Sequence, residues 1–302
     1  MLKKSGSRVS SSIVSLQSVN AAANAKRCKA ECKPFFTPKS LRMSFMSTII
    51  VVTNQKGGVG KTTTCASLAG VFKANGQKVL AIDMDPQGNL SFSLGAEDVG
   101  FTIHDALNGK CEIEDAIKTT DMCDVITSNI VLSGSELEMT TVRREFVLKD
   151  LLKTVKNKYD YIIIDTPPAL SVLTINAYTA ADELIIPMTP EILSLQGLTQ
   201  LRETIIAVRK YYNKKLNLRG ILLTKCPGGR QLLAREVEEM VRLVANQFNC
   251  DVLPVKITNS VAAAEAPAHQ ETLNIYSPSC RAARDYNALA RLLYPDIFPD
   301  SE

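Results

Sequence analysis

The chain lacks tryptophan and has two histidines, His104 and His269, among its 302 residues. Two imidazoles cannot furnish a histidine-rich metal centre, and they make histidine chemistry a poor first idea for catalysis. No apolar run approaches the ~18 residues that a membrane-spanning helix needs. A disulfide framework is missing too. The eight cysteines are scattered, several inside apolar segments, as expected of reduced thiols in a cytosol. Cys28 and Cys32 lie close together, but no second pair or histidine cluster completes a zinc site. Acid is almost absent from residues 1–46, which hold nine Lys or Arg and one acid, Glu31. The formal charge of +4 therefore hides a remainder with a net of −4. Any nucleic-acid contact has to come from a local patch.

Residues 1–46 are rich in Ser, Ala and Lys with little apolar periodicity, and read as a disordered basic extension. Three origins stay open: a stretch upstream of a true start at Met43 or Met46, an organelle transit peptide, or an interaction tail. From residue 47 short apolar runs alternate with longer amphipathic stretches. Strands are expected at 47–53, 78–83, 123–128, 159–165, 183–188, 218–224 and 250–255. Helices are expected at 61–76, from 129 to about 156, near 173–180, 197–213 and 230–247, and at 279–293. Continuous apolar strands alternating with helices predict an α/β fold. It would be a single doubly wound, mostly parallel sheet with helices on both faces. No internal repeat or linker follows residue 46, which points to one domain over 47–295 and a flexible acidic tail over 296–302.

The richest stretch is "NQKGGVGKTTT", residues 54–64. It joins an apolar strand to a helix. In that setting backbone N–H groups and the helix N-terminus converge on an anion. Gly57, Gly58 and Gly60 allow the backbone to curl around phosphate oxygens, with Val59 between them. Lys61 would reach the β- and γ-phosphates, and the Thr62 hydroxyl would bind Mg²⁺. Thr63 completes the first turn. The general phosphate-loop pattern wants glycine where Gln55 stands, and a second lysine, Lys56, needs its own explanation. Further on, "AIDMDPQGNLS" (81–91) ends a strand with Asp83 and Asp85 at i and i+2, so both carboxylates are expected to face the loop. "YIIIDTPPAL" (161–170) ends a buried strand with Asp165, where an unpaired carboxylate is costly and a magnesium ion or its water would compensate it.

"KGGVGKTTT" resembles the deviant Walker A loop of the ParA/MinD superfamily of dimerising P-loop ATPases. "DMDPQGN" and "YIIIDTPP" resemble its first switch and its Walker B strand. The likeness runs from residue 47 to about 293 and includes "LTINAYTAADELIIPMTPEILSLQGLTQL", "GILLTK" and "AEAPAHQETLNIYSP". It implies ATP and Mg²⁺ as cofactors and slow, partner-stimulated hydrolysis. Lys56 would cross a homodimer interface to the partner's nucleotide, as an arginine finger does in trans. Asp85 would position or activate the attacking water, and Asp165 would serve the metal.

Relatives testable by absence are excluded. The chain has no cluster-ligating cysteine motif between the switches, no C-terminal Cys-x-x-Cys and no tyrosine cluster. Its end, "LLYPDIFPDSE", is acidic and Pro-broken, unlike a basic membrane-docking helix. The resemblance left is to the partition branch, and it implies a bacterial cytoplasmic ATPase, nucleoid-associated if nonspecific DNA binding holds, that partitions plasmid, chromosomal or mobile-element DNA with a ParB-like centromere-binding protein. Arg230 matches one DNA-contacting position of such relatives. A second is Ala262 here, and Arg281 on the last helix is a further candidate. Adenine contacts of relatives align with Thr258 and Ser260, leaving Asn259 as the substitute. The alternative is a MinD-like adaptor that positions a non-DNA protein cargo.

Overall fold

The computed structural model describes residues 47–298, except 97–98, 140–141, 192–195 and 228–231. The readings made for residues 1–46 and for Arg230 lie outside the described residues. β1 (Thr48–Val52) leads through the loop into α1 (Lys61–Ala74) and β2 (Val79–Asp83). The short helices α2 (Asn89–Ser93) and α3 (Ile103–Leu107) precede β3 (Ile117–Thr119) and β4 (Asp124–Ile126). Then come α4 (Ser135–Glu138), α5 (Val147–Val155), β5 (Tyr161–Asp165), α6 (Val172–Ala180) and β6 (Glu183–Met188). The chain continues through α7 (Gln196–Tyr211), β7 (Asn217–Leu223), α8 (Leu232–Gln247), α9 (Val261–Glu265), α10 (Leu273–Tyr276) and α11 (Arg281–Leu293).

The seven strands form one sheet in the order β3-β4-β2-β5-β1-β6-β7. Every pairing is parallel except β3 with β4. Alternation along the strands sends side chains to two separate cores. Ile49, Val51, Ile82 and Ile164 pack on the face covered by α5, α6 and α7. Ile50, Val52, Ala81 and Ile163 pack on the face covered by α1 and α11. Both faces are dry, which is why these strands read as unbroken apolar runs. In α1 every residue from Thr64 to Phe72 is buried. Each large apolar side chain there, such as Leu68 or Phe72, contributes roughly 1.5–3 kcal/mol on burial.

Three sequence expectations change. The long helix placed from 129 to about 156 is broken; among the described residues of that region the longest helix is Val147–Val155, preceded by the short 3-10 turn Ile130–Gly134 and by Ser135–Glu138. Leu148, Leu152 and Val155 give it a buried stripe, whereas Gly134 is a poor residue for a helix interior. The strand at 250–255 shrinks to a single bridge between Val252 and Ile221. Pro254 lacks the N–H that a further ladder bond needs. The start of the assigned tail is also packed. Ile297 and Phe298 are buried in the α1–α11 core, and the Arg291 guanidinium lies over the Phe298 ring at 4.2 Å.

Candidate functional site

β1 lies between β5 and β6, so the loop that follows it emerges at the centre of the sheet. Gly58 and Gly60 adopt φ of 71° and 85°, the left-handed region where a side chain is strained. Gly57 and Gly58 are exposed, and a methyl group added to either would meet nothing within 4 Å. That open side of the loop faces away from the protein, as a cradle for an anion must. Val59 does the opposite: it is fully buried and anchors the loop. Its carbonyl accepts a 2.7 Å hydrogen bond from the Thr224 hydroxyl just after β7. Asn54, also buried, donates to the Pro187 carbonyl in β6 at 2.8 Å and accepts from the Lys56 N–H at 3.0 Å. The loop is thus held from its own strand and from two neighbours before any ligand arrives.

Lys61 opens α1 and is buried. Its ammonium donates to the Lys56 carbonyl at 3.2 Å. Burial pushes it below its ordinary pKa, against the pull of Asp165 and Asp85. Such a cation, desolvated and flanked by backbone, is suited to grip a multiply charged anion. Thr62 donates to Asp165 Oδ2 at 2.6 Å. Asp165 Oδ1 is buried and without a hydrogen-bond partner. Burial, and then the nearby Asp83, push the Asp165 carboxyl up to about 8. An orphaned carboxylate oxygen beside a threonine hydroxyl is an unfinished set of hard oxygen donors, which fits Mg²⁺ and its waters. Thr63 is half-buried in the first turn.

The structure separates the two acids expected to face the loop together. Asp83 is fully buried and accepts from the Ser91 N–H and hydroxyl, both at 2.8 Å, and from the Asp85 N–H at 3.1 Å. It ties the segment after β2 to α2. Even so, burial raises its carboxyl to about 6. The Asp85 carboxylate accepts from the Gln87 N–H at 3.1 Å and acts electrostatically on Lys61. It is the acid left available near the loop.

Lys56 is brought to the site but turns toward its own chain, pairing with Glu191 at 2.5 Å. Asn259 is exposed on a segment whose backbone bonds to Cys226 and, through Thr258, to the Asp285 carboxylate at 2.8 Å. It runs beside the end of β7, next to the strand that clamps the loop. Arg281, at the start of α11, is exposed. Sequence reasoning missed Thr224, Asn54 and Glu191. Asn54 had a signal, a buried amide at a strand end next to a glycine loop; the other two act across long stretches of chain.

A family model described as AAA domain matches residues 47–218. The sporulation initiation inhibitor protein Soj of Bacillus subtilis is 42% identical over 251 residues, 82% of this chain and 98% of that protein. The chromosome partitioning protein ParA of Caulobacter vibrioides is 39% identical over 250 residues, 80% of this chain and 92% of that one. Among solved structures, cobyrinic acid a,c-diamide synthase of Mycobacterium smegmatis with a bound ATP analogue and magnesium aligns with a TM-score of 0.71 at 32% identity. The alignment covers 84% of this chain and 98% of that one. With a loop, two acidic strand ends and a near full-length likeness all in agreement, the chain belongs to the AAA-domain family of ParA/Soj-type ATPases.

Proposed function

We propose that this protein is an ATP-dependent dimerising ATPase that partitions DNA together with a ParB-like centromere-binding partner. The observation that carries the reading is the pairing of Thr62 with a half-satisfied, buried Asp165 beside Lys61. That arrangement leaves an acceptor for a divalent cation close to a donor for phosphate. Magnesium, when bound there, would supply charge neutralisation for the phosphates. Thr62 and Asp165 would hold it, and Gly57, Gly58 and Gly60 would present N–H groups to the phosphate oxygens. Lys61 would hold the β- and γ-phosphates. Asp85 would orient the attacking water, and Lys56 would reach the nucleotide of a second copy. Asn259 would sit near the base. Hydrolysis would be slow until the partner protein completes the site.

The DNA-binding half of this reading rests on Arg281 and, outside the described residues, on Arg230, together with the chromosome-partitioning relatives. The test is co-sedimentation with non-cognate duplex DNA in ATP, ADP or no nucleotide. Retention with ATP alone, falling steeply with salt as counterion release requires, is the expected result. A chain that dimerises with ATP yet stays in the supernatant at low salt would instead be an adaptor that positions a protein cargo.

A further inference from the structure

We propose that Glu191 is the resting partner of Lys56, holding this lysine against its own chain until a nucleotide-loaded second copy draws it away. The inference rests on the trans-acting reading of Lys56 given above.

The geometry is specific. Glu191 follows β6 by three residues, and its N–H donates to the Thr189 carbonyl at 2.8 Å, a tight turn that fixes where its side chain starts. The same strand end receives the Asn54 amide at Pro187, and Asn54 in turn accepts from the Lys56 N–H. One end of β6 therefore positions Lys56 twice, through its peptide and through its ammonium. The pair is charge-assisted at 2.5 Å. Its hydrogen bond to Lys56 holds the Glu191 carboxyl below its ordinary range, and Lys225 on the neighbouring strand end adds to this.

The contact is also made to break. Side-chain exposures of 35% for Lys56 and 60% for Glu191 put it at the surface, where such pairs are weak and screened by salt. A triphosphate carries far more negative charge than one carboxylate, so a nucleotide facing Lys56 from a second copy outcompetes Glu191. The folded-back and reaching positions of the lysine exclude each other. Glu191 thus taxes dimerisation slightly and keeps Lys56 of the single copy from engaging other anions.

The test is a double-mutant cycle on the dimer, read by sedimentation velocity with a non-hydrolysable ATP analogue and Mg²⁺. Glu191→Gln keeps the shape and removes the charge. Each dimer contains two such contacts, so it should form about 2- to 30-fold more tightly at low salt. The gain should shrink as salt rises, and it should vanish in the Lys56→Ala background. An unchanged or weaker Glu191→Gln dimer, with Lys56→Ala still failing to dimerise, would overturn the resting-partner role alone. A gain that persists in the Lys56→Ala background would show that Glu191 acts elsewhere. If Lys56→Ala dimerises like the parent, the trans-acting reading itself is lost.

Discussion

Thr62 and Asp165 stand 103 residues apart and meet in a 2.6 Å hydrogen bond that joins the first turn of α1 to the end of β5. The bond satisfies Asp165 Oδ2 and leaves Oδ1 buried without a partner. A buried acceptor left unmade costs about 1–3 kcal/mol. A fold that needed this carboxylate only for packing would have closed it off with a second donor. Keeping it open makes sense where a cation is the missing partner.

The first prediction concerns pH. The Asp165 carboxyl is raised to about 8 and that of Asp83 to about 6, both chiefly by burial. In the unfolded chain both lose their protons near 3.8. The folded state therefore keeps protons that the unfolded state has released. The resulting stabilisation is complete below about pH 4 and is lost as pH rises through 6 and then 8. Metal-free protein should melt at a lower temperature at pH 8 than at pH 5.5. Asp165→Asn should flatten this slope, and Mg²⁺ with nucleotide should restore the loss at pH 8. A melting temperature that climbs over this range in metal-free protein would contradict the assignment.

The second separates grip from chemistry. Lys61→Ala removes one charge-assisted contact, worth ~1.5–3 kcal/mol, so nucleotide affinity should fall about 10- to 150-fold by calorimetric titration. Asp85→Ala should keep nucleotide affinity within a few-fold and lose steady-state hydrolysis, because the phosphate cradle does not include it. Parent-level turnover in Asp85→Ala would remove Asp85 from the mechanism.

A third prediction targets the clamp on the loop. Thr224→Val preserves shape and removes the hydroxyl that bonds the Val59 carbonyl. The carbonyl is left unsatisfied, at about 1–3 kcal/mol. The melting temperature should drop by several degrees, and nucleotide affinity should drop with it. Thr224→Ser, which keeps the hydroxyl, should recover most of both. Equal losses in the two variants would assign Thr224 to packing alone.

The fourth concerns residues 1–46. We expect a chain beginning at Met46 to fold, bind ATP and dimerise like the full chain, since β1 opens at Thr48 with fully buried residues. Loss of nucleotide binding on that truncation would place the extension within the domain.

The central strands and the loop were legible because their physics is local. β1, β2 and β5 are buried on both faces, so each announces itself as an apolar run, and the glycines and lysines of residues 56–61 need only their neighbours to be understood. β3 was missed because three residues, Ile117–Thr119, carry too little pattern, and as an edge strand it is only half-buried. The capture of Asp83 by Ser91 was illegible for another reason. Alternation places Asp83 and Asp85 on one side of an extended chain, but Ser91 captures the first. Glu191 looked like any charged residue after a strand, because its partner lies 135 residues earlier. Side-chain pairing over such distances leaves no period or spacing to read.

The packing of α1 sets a timetable for synthesis. A methyl group on Gly70 would sit 2.2 Å from the Asn274 side chain and 2.6 Å from Thr272, so this helix is seated directly on the segment that precedes α11. Thr64, in the first turn behind the loop, meets the Tyr286 hydroxyl at 3.1 Å across 222 positions of chain. At roughly 5–20 residues per second, a ribosome takes on the order of 10–40 s to travel that far. Through that interval the emerging chain carries its phosphate loop without the wall that α1 leans on, with an apolar helix face open to chaperones.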